Sequence, residues 1–274
     1  MKKNNTREYY QQVGGYFDLF AEKHHHKSEE NSILTEMRHS FRTFVTHPHP
    51  KTILDIGCGP GIDVAYFAQK FPDAAVYGID VSAKMIEQAK ELCTAQNLQN
   101  AQFLHTGIEK LQEHLDAEMK FDVITVFFGA LNTVHSLEAA AQILDKLLNK
   151  NGQAMLSFVN KYYLSEFFIN ILKLRPKKAI ARWGKVWGGY SNDFKLHSQT
   201  YTPAQIKKAF ANTNLTLQTK KGYSVFYPAW FQQDRVKKYP RFCGLLARMD
   251  GWANKTFLWS KGEYTLFLYQ KSEV

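Results

Sequence analysis

The stretch Asp55-Ile56-Gly57-Cys58-Gly59-Pro60-Gly61 joins an apolar run that starts at Thr52 to an amphipathic segment that starts near Asp63. No other part of the chain restricts the fold as much. Alternating glycines let the backbone turn sharply and let a ligand approach main-chain N–H groups with no Cβ in the way. The helix that follows offers its positive end to an anionic group. Nineteen residues after Gly61, Asp80 ends a second apolar run, Val76-Tyr77-Gly78-Ile79, where a carboxylate can accept hydrogen bonds from both hydroxyls of a ribose. Loop and spaced acid together describe a nucleoside-containing ligand at the carboxyl edge of a parallel sheet.

The surrounding pattern predicts that sheet. Strands are expected at 52–56, 76–80, 102–105, 121–128 and 153–159, separated by helices at about 63–70, 83–96 (capped by Ser82) and 136–148. Strands alternating with helices of this length imply parallel pairing covered on both faces. Ahead of them, residues 7–46 read as helices, with a break at Gly14-Gly15 and a stop at His47-Pro48-His49-Pro50. Beyond residue 160 the regularity weakens. Tyr162–Trp183 reads as helix broken at Pro176, Thr202-Pro203 opens a helix through Phe210, and Leu215–Thr219 and Tyr264–Gln270 alternate as strands. Residues 225–262 fit no regular template.

Composition removes whole classes. With 274 residues, 45% hydrophobic and 14% aromatic, the chain is neither disordered nor collagen-like. No stretch approaches the roughly 20 apolar residues of a membrane-spanning helix, and Met1–Thr6 leads into polar sequence, unlike a signal peptide. Three dispersed cysteines, Cys58, Cys93 and Cys243, exclude a disulfide scaffold and the usual zinc ribbons, and suit a cytoplasmic protein. The net charge of +10 is divided unevenly: residues 1–160 carry −4, and residues 161–274 carry +14 together with all five tryptophans.

The dinucleotide fingerprint is G-x-G-x-x-G, whereas here the third glycine comes one residue early. An acid two residues before the first glycine, Asp55, also suits a cationic ammonium better than a pyrophosphate. This stretch, with Asp80 and the later segments, resembles the class I S-adenosylmethionine-dependent methyltransferases over about residues 50–160. The resemblance implies an α/β, Rossmann-like class I methyltransferase fold: a seven-stranded, mostly parallel sheet with helices on both faces and an antiparallel last strand. It implies S-adenosyl-L-methionine as cofactor and S-adenosyl-L-homocysteine as product. Gly57, Cys58 and Gly59 would lie along the methionine portion, with Asp55 near its amino group. Asp80 would hold the ribose, with Val81 and Met85 flanking adenine. The acid often found after the third strand is replaced by Gly107, so adenine recognition falls to main chain at Gly107–Ile108, with Glu109 a weaker candidate. Phe127 and Phe128 would line the cofactor near the transferred methyl, and Leu131 its adenosine side. The Asn149–Gly152 turn resembles the family's L-x-P-G-G turn, with Asn151 in place of one glycine.

Acceptor chemistry is less legible. His135 is the candidate base by position, weighed against a structural or capping role; Asn132, Tyr190 and His197 are candidates for holding substrate. His24-His25-His26 reads as a solvated helix end, and no metal is expected. Tyr10, Tyr16 and Phe17 in the first 50 residues are candidates for a lid. Residues 51–160 would be the cofactor core, and residues 161–274 would add the remaining strands and basic, aromatic-rich inserts around the acceptor pocket. Cations interleaved with aromatics there suit an anionic or amphiphilic, small-molecule or lipid-like acceptor methylated on oxygen, and a peripheral membrane contact. RNA is the rival partner, disfavoured because no N-P-P-Y-type loop follows the fourth strand. A cofactor-binding protein without catalysis is the second rival.

Overall fold

The computed structural model describes residues 8–19, 21, 31–184 and 198–273. Residues 8–19 are helical (α1). The chain continues through α2 (Ser32–Arg42), β1 (Thr52–Ile56), α3 (Ile62–Lys70), β2 (Ala75–Asp80), α4 (Ala83–Ala95), β3 (Ala101–His105), β4 (Phe121–Val126), α5 (Leu137–Leu147) and β5 (Leu148–Val159). Then follow α6 (Leu164–Leu172), α7 (Pro176–Ala179), α8 (Pro203–Phe210), β6 (Leu215–Tyr223), α9 (Gln233–Lys238), α10 (Pro240–Ala253) and β7 (Tyr264–Lys271).

The seven strands form one sheet in the order β3-β2-β1-β4-β5-β7-β6. The pairs among β1 to β5 are parallel, and β7 runs antiparallel to both β5 and β6. The chain leaves β1 toward β2 on one side and returns to β4 on the other. At that reversal, the crevice beyond the carboxyl ends of β1 and β4 is where such sheets hold ligands.

Successive strand residues face opposite layers. Ile53, Val76 and Val123 pack with Phe41 of α2 and Phe67 of α3. Leu54 and Ile124 pack with Leu144 of α5 and Phe210 of α8. Helix starts obey their local sequence: the hydroxyls of Ser82 and Ser136 accept from the N–H groups of Met85 and Ala139, and Thr202 forms a capping box with Gln205. Phe41 is fully buried, its ring centroid 5.2 Å from that of Phe127 and 5.0 Å from that of Tyr223. Phe41→Ala is expected to cost about 3–5 kcal/mol of stability, read as a lowered urea midpoint with an unchanged slope.

Several boundaries depart from the sequence pattern. α1 runs through Gly14-Gly15 without a break, because Gly14 serves close packing: a Cβ there would lie 2.4 Å from the Val81 carbonyl oxygen. β5 starts at Leu148, which pairs with Phe121 before a register shift; Asn151 takes φ 61° within it, a conformation asparagine tolerates. α6 stops at Leu172, earlier than Pro176, since Leu174 is left-handed at φ 55° and Arg175 precedes a proline. Residues 225–262 hold α9, with no buried residue, and α10, which buries only Cys243 and Ala253, so its apolar positions at helical spacing do not mark a core-facing side.

Candidate functional site

The glycine loop leaves β1 with Gly57, Gly59 and Gly61 at φ 70°, 52° and 81°. A Cβ on Gly57 would stand 2.4 Å from the Ala130 Cβ. The loop's first N–H groups are not free for a ligand: those of Gly57 and Cys58 donate to the Ile79 carbonyl at 2.8 and 3.0 Å. The N–H of Gly59 donates to Asp80 Oδ2 at 3.0 Å, and that of Ser82 to Oδ1 at 2.8 Å. The expectation of open main-chain donors therefore does not hold, because these N–H groups are engaged within the protein. The glycines' contribution is the turn and the absent side chains.

A cavity of about 410 Å³ opens along this loop, at the carboxyl ends of β1, β2 and β4. Of the residues expected to hold cofactor, Asp55, Gly57, Cys58, Gly59, Asp80, Val81, Met85, Gly107, Ile108, Phe127 and Phe128 all line it. Asp55 is buried and accepts from the Thr125 hydroxyl at 2.6 Å. Burial, reinforced by the neighbouring Asp63 carboxylate, pushes its carboxyl up to about 8. Burial also raises Asp80, against the opposing pull of the N–H groups that donate to it. The Cys58 thiol is driven up by burial and by the two nearby acids, which makes it inert packing. Phe128 sits at φ 52°, a cost of order 1–3 kcal/mol that residues at functional sites commonly bear.

Three expected residues are placed elsewhere. Leu131 is wholly buried in the core layer with Leu137, and its neighbour Ala130 takes the wall position, because the 3₁₀ turn Ala130–Thr133 rotates the chain by one residue. Asn132 is fully buried and occupied by main chain: its Nδ2 donates to the carbonyls of Val159 and Gln199, and its Oδ1 accepts from the Val159 N–H at 2.9 Å. It ties the turn after β4 to the carboxyl end of β5 and to the segment before α8, and has no group left for substrate. His135 is absent from the cavity wall and packs edge-on against Tyr9, ring centroids 5.8 Å apart. Tyr190 and His197, like His24-His25-His26, lie outside the described residues.

The rest of the wall comes from segments distant in sequence. α1 contributes Tyr10, Val13, Tyr16 and Phe17. It is held by Tyr9, whose hydroxyl donates to the Thr133 carbonyl at 2.8 Å, by Tyr10 donating to Glu109, and by Asp18 accepting from the Ser82 hydroxyl at 2.6 Å. The second oxygen of Glu109, Oε2, is buried with no hydrogen-bond partner. It lies beside Gly107, 3.6 Å from where a Cβ would stand. Arg38 of α2 lies over the Phe128 ring at 4.7 Å and pairs with Asp63, which Arg42 also holds at 2.7 Å. Trp230 and Tyr264 complete the wall. Sequence reasoning missed Arg38, Trp230 and Tyr264, since no local pattern joins positions this far apart.

Comparison with known proteins adds four findings. A family model described as a methyltransferase domain matches residues 26–220. An uncharacterised protein of Rickettsia prowazekii (strain Madrid E) is 34% identical over 108 residues, covering 39% of this chain and 42% of that protein. A trans-aconitate 2-methyltransferase of Rhodopseudomonas palustris (strain BisB5) is 41% identical over 56 residues, covering 20% and 22%. The chain thus spans less than half the length of these curated relatives. Among solved structures, the plantazolicin methyltransferase BamL, in complex with a triazolic desmethylPZN analogue and SAH, aligns over 99% of both chains at 18% identity with a TM-score of 0.55. That likeness is one of fold.

Proposed function

The chain belongs to the methyltransferase-domain family, and we propose that it transfers a methyl group from S-adenosyl-L-methionine to an oxygen of a small anionic or amphiphilic acceptor. The observation that carries this reading is one cavity that sets two acids beside the glycine loop: Asp80 at the end of β2, whose two oxygens are fixed by the N–H groups of Gly59 and Ser82, and buried Asp55 in β1. A ribose diol suits the first acid and an ammonium the second. At the adenine end the wall is formed by Gly107 and Ile108, with the unpartnered Glu109 Oε2 beside Gly107 but not itself on the wall. These features fit the cofactor. When bound, it would supply a methyl group made electrophilic by its sulfonium.

The protein's own part is to hold, orient and exclude water. Asp80 orients the ribose and Asp55 the amine. α1 closes the cavity as a lid, with Tyr10 latched to Glu109. Phe127 and Phe128 shape the wall near the acceptor. No base is well placed among the described wall residues. Tyr16 is raised to about 12 by burial, and Tyr10 is raised by burial and by Glu109. This supports an acceptor that arrives already anionic, such as a carboxylate, for which no proton need be removed. The trans-aconitate relative matches too short a stretch to carry its acceptor across.

Two results test the site. Calorimetric titration is expected to show saturable binding of S-adenosylmethionine and none of NAD; the reverse order would overturn the reading. In the free protein Asp55 is protonated below about 8, and an ammonium beside it favours the carboxylate. Binding near pH 7 should therefore release a proton and tighten as pH rises toward 8, by up to about tenfold per pH unit. Calorimetry in buffers of different ionisation enthalpy reads that proton, and Asp55→Asn should abolish its release.

A further inference from the structure

α10 turns only Cys243 and Ala253 fully into the protein. On the other side Phe242, Leu245, Met249 and Trp252 follow the spacing of a single helix face and stand exposed, Phe242 at 59% and Trp252 at 57%. Charge around this stripe is nearly of one sign. Residues 233–257 hold six cations against two acids, and one of those acids, Asp250, is turned inward. Its carboxylate accepts the N–H groups of Val225, Phe226 and Tyr227 at 3.1, 2.6 and 3.2 Å. Arg241, Arg248 and Lys255 remain exposed beside the stripe.

α6 repeats the arrangement. Phe168, Ile171 and Leu172 are exposed, and the left-handed Leu174 that ends the helix is 89% exposed. Lys173, Arg175, Lys177 and Lys178 flank them. The helix's acid, Glu166, is engaged by the buried Arg182. Both helices are tied to one loop, since the Ser165 hydroxyl donates to the Val225 carbonyl at 2.6 Å and Asp250 holds the N–H of the same residue. That loop leads to Trp230 on the cavity wall, which stands edge-on to exposed Phe231 at 5.7 Å between ring centroids.

We propose that α10 and the end of α6 dock the protein onto a bilayer surface bearing anionic headgroups. Each alternative occupant leaves part of the face unmatched. A second copy would set cations against cations. RNA could stack on the rings but would leave Leu245, Met249, Ile171, Leu172 and Leu174 without a partner. A lipid surface satisfies both features, because the apolar stripe enters the boundary between headgroups and acyl chains while the cations meet phosphates. Among the described residues no helix is long and apolar enough to cross a membrane, so this contact lies along the surface. Docking so would bring the cavity rim at Trp230 toward the bilayer.

Co-sedimentation with vesicles tests this. The full chain should bind vesicles of about 30% phosphatidylserine in phosphatidylcholine at least about tenfold better than phosphatidylcholine alone, and release with added salt. Arg241→Glu with Arg248→Glu should weaken that binding about tenfold or more, and Phe242→Ser with Trp252→Ser should weaken it severalfold. All four positions are exposed and outside the cavity wall, so thermal stability and S-adenosylmethionine affinity should be unchanged. That second readout separates failure here from failure of the methyltransferase reading. Equal binding to both vesicle types, or variants that bind like the parent, would overturn the proposal. Tighter retention on single-stranded RNA than on anionic vesicles, or a solution dimer abolished by the Phe242/Trp252 pair, would also overturn it.

Discussion

Asp80→Ala is expected to lower S-adenosylmethionine affinity at least about 100-fold while leaving the protein folded. The carboxylate would receive two charge-assisted hydrogen bonds from a ribose, each worth about 1.5–3 kcal/mol, and about 1.4 kcal/mol is a factor of ten. It also organises the site before any ligand arrives, since the N–H groups of Gly59 and Ser82 both donate to it. Removing it would leave those donors unpaired and loosen the glycine loop and the start of α4 together. Asp80→Asn separates the two effects. It keeps an oxygen for one N–H and the side chain's shape, so part of the affinity should return. Unchanged affinity in the alanine variant, measured by calorimetry, would remove Asp80 from the ribose position.

Gly57→Ala should do comparable damage by a different route. At φ 70° a side chain costs about 1–2 kcal/mol, and the new Cβ would lie 2.4 Å from that of Ala130. Ala130 belongs to the 3₁₀ turn that lines the cavity next to the glycine loop. Loop and turn must part, and displacements near 1 Å at such sites cost about 100-fold. The expected outcome is loss of ligand binding with a modest drop in melting temperature. Ala130→Gly placed on top of Gly57→Ala removes the clashing methyl and should recover part of the binding. Failure of that rescue would locate the damage in backbone strain alone.

The legibility of this molecule in its sequence follows from how local its signals are. β1, the glycine loop and Asp80 are written within 29 consecutive residues, from Thr52 to Asp80, and their physics is that of turns and strand ends. The wall along the glycine loop is readable for that reason. Asn132 and Leu131 misled because a 3₁₀ turn of four residues has no periodicity to show which side chain faces inward. His135 drew notice as a lone imidazole near the site, yet its position depends on α1, which comes from more than a hundred residues away. Arg38 was invisible for a related reason: its role arises from Asp63 and Phe128, which only the tertiary fold brings to it. The Gly14-Gly15 pair looked like a helix break, but for Gly14 it is a contact requirement against Val81. The +14 balance of residues 161–274 was plain in the sequence. Its concentration beside the apolar stripe of α10 emerged only when Asp250 was seen to face inward.

This chain is expected to move a methyl group from S-adenosylmethionine to its acceptor. The most direct measurement is incubation of the purified protein with methyl-labelled S-adenosylmethionine and separated pools of small acids, lipids and RNA, with Asp80→Ala run in parallel. Label is expected in an anionic small-molecule or lipid fraction, and is expected to be absent with the variant. Tight cofactor binding with no label in any pool, or label confined to RNA, would contradict it.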